Sequence, residues 1–452
     1  MPRIFLWALI VIVAIAPLPL GSNRPLAWSL LALEVGLLMI AWSVYHLWTS
    51  QPLPVSVRRI RTPLLLFTLA CAWVLVQLIP NIPFGLAHPA WQEVNTFFTA
   101  DVPERITIDP DRTVTTFMRW LTYAGVFWLA LQLGRDRTSA HTALRAFATI
   151  AAAYAIYGLI ALFAAGDTLL MYEKWAGKGS VTSTFVNRNS YATFAGLGVV
   201  ATAALIFAAS PRPRAEPLLS RQRLYDVLTH SLTQSGLMYV WLFLSLTALL
   251  LTGSRAGALS TLFALAMLGL QLMWVRRLNL GSRLTGIALF CVVGALTIGF
   301  SGNYLGDRLA EGGGQKRLEV YEQTLSAIED HTLLGSGLGS FPQIFQLYRE
   351  TETLRARYVA RAHNTYLENA LELGLPAVFS LVGALGFLAW QCGRGVFQRS
   401  RDRHFPAMGL SVTVLVGLHA LVDFSLQIPA VVVAYMFLIG IAVAQSSSSR
   451  RK

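Results

Sequence analysis

The run Arg361-Ala362-His363-Asn364-Thr365-Tyr366 is a polar interruption in a chain that is otherwise strongly apolar. Imidazole titrates near neutral pH, so His363 is the residue best suited to take a proton from an attacking hydroxyl without help from a metal. Arg361 and Asn364 beside it are candidate substrate contacts. Arg317 follows Gly312-Gly313-Gly314-Gln315-Lys316. Glycines ahead of a helix start, with two cations, can wrap a phosphate through backbone N–H groups. Arg255 follows Thr252-Gly253-Ser254 between two almost purely apolar runs, and Arg188 sits between Asn187 and Asn189 ahead of a third. A helix N-terminus beside a guanidinium is an anion site, and charge held at membrane depth is usually spent on function. Each residue also has a plainer reading. Arg255 can snorkel to headgroups, Asn189 can cap a helix, and a Gly-rich basic loop can be a solvated turn. Together they point to chemistry on a lipid-borne anionic substrate rather than on a soluble metabolite.

Other matches carry less. Asp109-Pro110-Asp111 has the D-x-D spelling of a metal-dependent transferase, but proline between the acids and Arg112 after them fit an ordinary turn. Gly335, Gly337 and Gly339 imitate a nucleotide loop, yet no strand precedes them and no Lys-Ser/Thr follows. Cys71, Cys291 and Cys392 show neither disulfide nor metal-ligand spacing. No metal and no other cofactor is expected. Glu34 and Arg119 fall within apolar runs, and either pair with each other or leave Arg119 facing an external cavity.

The elements that must position these residues are membrane spans. Of 452 residues 55% are hydrophobic and 13% charged, against roughly a quarter charged in soluble domains. A helical span needs about 20 apolar residues, and the chain offers about twelve such runs: 4–20, 26–48, 63–80, 115–134, 146–166, 190–209, 237–252, 256–275, 284–301, 374–390, 406–422 and 430–445. The first reads as a retained span rather than a cleaved signal peptide, for want of a clean cleavage site. Alternate loops are basic, with Arg58, Arg59 and Arg61, then Arg135, Arg137 and Arg145, then Arg394, Arg399, Arg401 and Arg403. By the positive-inside tendency these are cytoplasmic, as are both termini. The net charge of +13 is then largely a topology signal, and no nucleic-acid partner is expected.

The expected organisation is an all-α polytopic membrane protein. Spans 1–9 occupy residues 1–301, a large helical external loop 302–373, spans 10–12 residues 374–445, and a disordered basic tail 446–452. Within the loop, Leu318, Tyr321, Leu325 and Ile328 space out one face of an amphipathic helix. The glycine run breaks that helix, Phe341–Tyr348 restarts it, and His363–Leu373 leads as helical turns into span 10. All the chemistry-bearing residues fall on the external side.

In order and spacing, Phe185-Val-Asn-Arg-Asn189, Leu251-Thr-Gly-Ser-Arg-Ala-Gly257, Arg317 with its following helix, Leu334-Gly-Ser-Gly-Leu-Gly-Ser-Phe341, and Ala362-His-Asn-Thr-Tyr-Leu367 with Glu372-Leu-Gly374 resemble the O-antigen ligase superfamily. The similarity is best between about 180 and 390. It implies a GT-C-like glycosyltransferase of the bacterial inner membrane, metal-independent and inverting, with its active site periplasmic. The implied donor is an undecaprenyl-diphosphate-linked glycan. The implied acceptor is lipid A–core, or a second lipid-linked glycan if the protein is a polymerase. By the same resemblance Arg255 and Arg317 correspond to diphosphate-binding arginines, Arg188 to a more variable position, and His363 to the histidine near the acceptor hydroxyl. A transporter or flippase is the alternative of a different class, since twelve spans are common there.

Overall fold

The computed structural model describes residues 3–99, 101–209, 236–275, 313–350 and 358–447. The run 284–301 and the start of the external loop lie outside the described residues. The helices are α1 Arg3–Ile15, α2 Pro25–Thr49, α3 Arg61–Gln77, α4 Ala90–Phe98, α5 Pro110–Leu133, α6 Arg137–Phe163, α7 Arg188–Ala209, α8 Gly236–Leu251, α9 Arg255–Val275, α10 Gly313–Asp330, α11 Phe341–Ile344, α12 Thr365–Leu373, α13 Leu375–Gln398, α14 His404–His419 and α15 Pro429–Gln445. Among the described residues, strand is confined to the pair Thr168–Leu169 and Tyr172–Glu173. Among the described residues six helices are long and apolar enough to cross a membrane, and four more are apolar but shorter. This is an all-α polytopic membrane protein.

Local sequence accounts for most boundaries. α1 stops at Ile15, short of the apolar run's end, because Pro17 and Pro19 cannot continue it. Proline occupies the first turn of α2, α5, α13 and α15, where its missing N–H costs nothing. Asp109 caps α5 by accepting from the Arg112 N–H at 3.0 Å. The first acid of the D-x-D spelling is therefore a helix cap. α7, α14 and α15 are largely enclosed. α15 packs on α5 and α14, α7 on α8, and α13 on α3.

The loops sort to two ends. At one, the Gln132 side chain donates to Val55 O and accepts from its N–H, both at 3.0 Å. There too Gln445 donates to Gly134 O at 2.8 Å, Arg135 to Ala444 O at 2.7 Å, and Arg399 to Ser447 O at 2.6 Å. Arg137 pairs with Asp402 at 2.8 Å. These are the basic loops. At the other end Thr184 donates to Pro17 O at 2.6 Å, the Val181 N–H to Leu251 O at 2.9 Å, the Thr365 N–H to Ala420 O at 2.9 Å, and the Ile108 N–H to Ser336 O at 3.0 Å. The alternation of basic and non-basic loops along the chain thus reappears as two separate layers of contacts in space.

In α10 the buried face is Val320, Gln323, Thr324, Ala327 and Ile328, whereas Leu318 and Leu325 are exposed. The apolar stripe expected from the sequence is rotated, because Thr324 hides its hydroxyl by donating to Val320 O at 2.6 Å. A satisfied hydroxyl can occupy a packed face.

The glycine run serves packing. Gly335, Gly337 and Gly339 all have positive φ. A Cβ on Gly337 would stand 2.0 Å from Thr107 Oγ1 and 2.7 Å from Thr107 Cα, with φ at +107°. Gly337→Ala is expected to destabilise the protein by about 1–3 kcal/mol or more, since backbone on one side cannot yield. Thermal unfolding in detergent would show the drop. Gly386→Ala, with nothing within 4 Å, should leave the midpoint unchanged.

Candidate functional site

His363 lies immediately before α12, in a left-handed conformation with φ 55°. Such a φ is uncommon for a residue other than glycine or asparagine and persists only where neighbours enforce it. They do so here. Tyr321 of α10 donates its hydroxyl to His363 O at 2.9 Å. The Asn364 side chain caps α12 by accepting from the Tyr366 and Leu367 N–H groups at 3.0 and 3.1 Å. Thr365 is tied to the α14–α15 connection through Ala420 O and, by its hydroxyl, Asp423 O at 3.0 Å.

The imidazole packs edge-on to Phe424, with ring centroids 5.1 Å apart, and its buried Nδ1 has no hydrogen-bond partner among the described residues. Burial first, and then the Arg317 and Arg361 guanidiniums, hold its pKa below the ordinary value, while Asp423 works the other way. His363 is therefore neutral at physiological pH and able to accept a proton.

Asp423 is fully buried. One of its carboxylate oxygens accepts from Asn189 Nδ2 at 3.1 Å, and the other accepts from the Ser425 hydroxyl. Asn189 follows Arg188, whose Nη1 lies 3.7 Å from where a Cβ on Gly253 would stand. Gly253, with φ +62°, belongs to the turn that ends in Arg255 at the first position of α9. His419 completes this region, its Nδ1 within 2.5 Å of Thr193 Oγ1 on α7. The structure thus gathers residues 188–189, the 252–255 turn, His363, the Arg317 charge and Asp423 at the end of the bundle away from the basic loops.

Two of the sequence candidates are engaged in holding the fold. Arg361 Nη1 pairs with Glu368 at 2.9 Å, and the other Glu368 oxygen accepts from the Ala362 N–H at 2.9 Å. Asn364 spends its side-chain oxygen on the cap. Glu372, one turn beyond Glu368 and also buried, accepts from the Phe341 N–H at 3.1 Å. Burial and the neighbouring Glu368 carboxylate push it up to about 8. Arg119 does not pair with Glu34, which is exposed on α2. Its guanidinium stacks 4.8 Å over Trp28 and donates to Thr116 Oγ1 at 2.6 Å.

Sequence reasoning missed Asp423, His419 and Tyr321. A lone acid in a tight loop at the non-basic end was a signal for Asp423. Nothing local marked the other two. Among the described residues no group of three or more His, Cys, Asp or Glu side chains is placed to hold a metal ion. What the arrangement offers is cationic side chains for an anion, and one neutral imidazole beside a carboxylate.

The fold and this cluster define a polytopic membrane protein with a cationic, histidine-bearing cluster at the bundle end away from its basic loops. Residues 240–382 match the family model described as O-Antigen ligase. Over that segment, which carries Arg255, Arg317, Arg361, His363 and Asn364, the chain is similar to the O-antigen ligase family. A comparison with curated proteins gives no match.

Proposed function

We propose that this protein is an O-antigen ligase-like glycosyltransferase that moves a glycan from undecaprenyl diphosphate to a hydroxyl of lipid A–core at the periplasmic face of the inner membrane. Both termini are then cytoplasmic. The observation that carries this reading is the meeting of His363, Asp423, Arg188 and the Arg255 turn at the end of the bundle opposite the basic loops. Breaking a sugar–diphosphate bond leaves a highly charged group. Arg255, Arg317 and Arg188 supply guanidiniums that bind phosphate oxygens bidentately and remain charged beside lipid. Stabilisation of that developing charge is the largest contribution asked of the protein.

His363 takes the proton from the acceptor hydroxyl as its oxygen attacks the anomeric carbon, on the face opposite the leaving diphosphate, so the configuration inverts. Asp423 stabilises the imidazolium that results. Arg361 and Asn364 act through the backbone they hold, keeping His363 in its left-handed position. The polyprenyl tail stays in lipid while the glycan projects outward.

The test is a reconstituted assay with lipid-linked glycan donor and each acceptor offered separately. Arg255→Ala is expected to lower transfer by about 10²–10³-fold, with donor still accessible from the outer face. Elongation of the lipid-linked repeat without need of core lipid would replace the ligase reading by the polymerase. Donor retained on the inner face would replace both by a transporter.

A further inference from the structure

The reading above leaves Arg119, a half-buried cation, unused. Arg119 lies nine residues into α5, one turn beyond Thr116, whose side chain packs under Gly339 of the glycine loop. Its guanidinium is held from one side by Trp28 of α2 and from another by Thr116, and its buried Nε has no hydrogen-bond partner among the described residues. No carboxylate is within ion-pair distance of it among the described residues. The acid that bears on it is Glu372, which burial and the neighbouring Glu368 push up to about 8. A guanidinium kept in a bundle without its own counter-ion is costly. Arg119 is also set apart from the residues assigned to the diphosphate. His363 feels Arg317, Asp423 and Arg361, whereas Arg119 feels Arg361, Glu372 and Arg112. Arg361 is the charge common to both surroundings.

We propose that Arg119, pre-oriented by Trp28 and Thr116, binds a phosphate group carried by the acceptor, and so selects phosphorylated acceptors over neutral ones. This rests on the transferase reading and assigns Arg119 to the acceptor side of the same site. Thr116 takes one Arg119 N–H, and the remaining donors are of the kind a planar guanidinium directs at phosphate. The stacked indole fixes its plane before the ligand arrives, so little rotamer freedom is lost on binding.

The experiment uses the full-length protein in nanodiscs, lipid-linked glycan donor, and lipid A–core either phosphorylated or treated with phosphatase. Wild type is expected to show a KM about tenfold lower for the phosphorylated acceptor. Arg119→Gln should erase that preference with kcat and donor KM unchanged, and Arg119→Lys should keep part of it. Equal preference in wild type and Arg119→Gln overturns the proposal, as does a rise confined to donor KM. A second arm, needing no turnover, follows the thermal shift caused by phosphorylated lipid A–core alone. Loss of that shift in Arg119→Gln supports the assignment even if transfer fails and the transferase reading falls with it. Absence of the shift in wild type refutes the assignment. Comparing phosphatidylglycerol with phosphatidylcholine nanodiscs identifies the source of the phosphate. Should Arg119→Gln respond only to the bilayer composition, the residue binds membrane headgroups and the acceptor assignment is overturned.

Discussion

Replacing His363 by asparagine is expected to lower glycan transfer by about 10²–10⁴-fold, the span general-base catalysis usually contributes, while the protein still folds. Asparagine is the informative replacement because His363 has φ 55°, and asparagine tolerates the left-handed region better than alanine does. A loss seen with alanine alone could come from the backbone relaxing. The pH profile supplies the second half of the test. Burial and the two neighbouring guanidiniums lower the pKa of His363. The neutral, proton-accepting form therefore persists below the usual imidazole pKa of about 6.5. Transfer should stay level through neutral pH and fall only once the pH drops below that value. Asp423→Asn removes the group that opposes the shift, so the acid limb should move to still lower pH. Conversely, Arg317→Gln removes a group that lowers the pKa and should move it up. An unchanged rate in His363→Asn with intact fold would remove His363 from the reaction.

Glu368→Ala is expected to be the most damaging change to stability, at about 3–5 kcal/mol, the cost of leaving one member of a buried ion pair without the other. Glu368 is fully buried, Arg361 only partly exposed, and the same carboxylate receives the Ala362 N–H. Two donors next to His363 would lose their acceptor at once. Glu368→Gln retains an oxygen for the Ala362 N–H and should cost less. Thermal unfolding in detergent, read by loss of the monodisperse peak on size exclusion, orders the three proteins. If alanine and glutamine variants melt together with wild type, the pair does not hold the His363 backbone. Transfer should fall in the same order, because Glu368 acts through the position of His363.

The span pattern was legible because hydropathy and proline are local properties. The runs 26–48, 190–209 and 374–390 each fall on a helix, α2, α7 and α13. Helix lengths were less legible where caps and prolines intervened, as at Ile15. The amphipathic face of α10 was misjudged because a hydroxyl that bonds within its own helix can be buried as readily as leucine, and hydropathy does not register that. Among the candidate residues, chemical type singled out His363 and the arginines, but could not separate those that face a ligand from those that hold the fold. Arg361 and Asn364 stand out in the sequence by their nearness to His363, and that same nearness places them in the cap and ion pair that shape its turn.

By itself, the order of residues determined that this is a helical membrane protein, with basic loops alternating along the chain and polar chemistry reserved for the intervening ones. Those features follow from transfer free energy and charge, summed over neighbours in sequence. Tertiary structure alone decided which charges meet. Asn189 reaches Asp423 across 234 positions, Arg119 turns to Trp28 rather than Glu34, and Asp423 comes beside His363. Such partners are selected by the packing of helices remote in the chain, and a side chain's neighbours in space leave no mark on its neighbours in sequence.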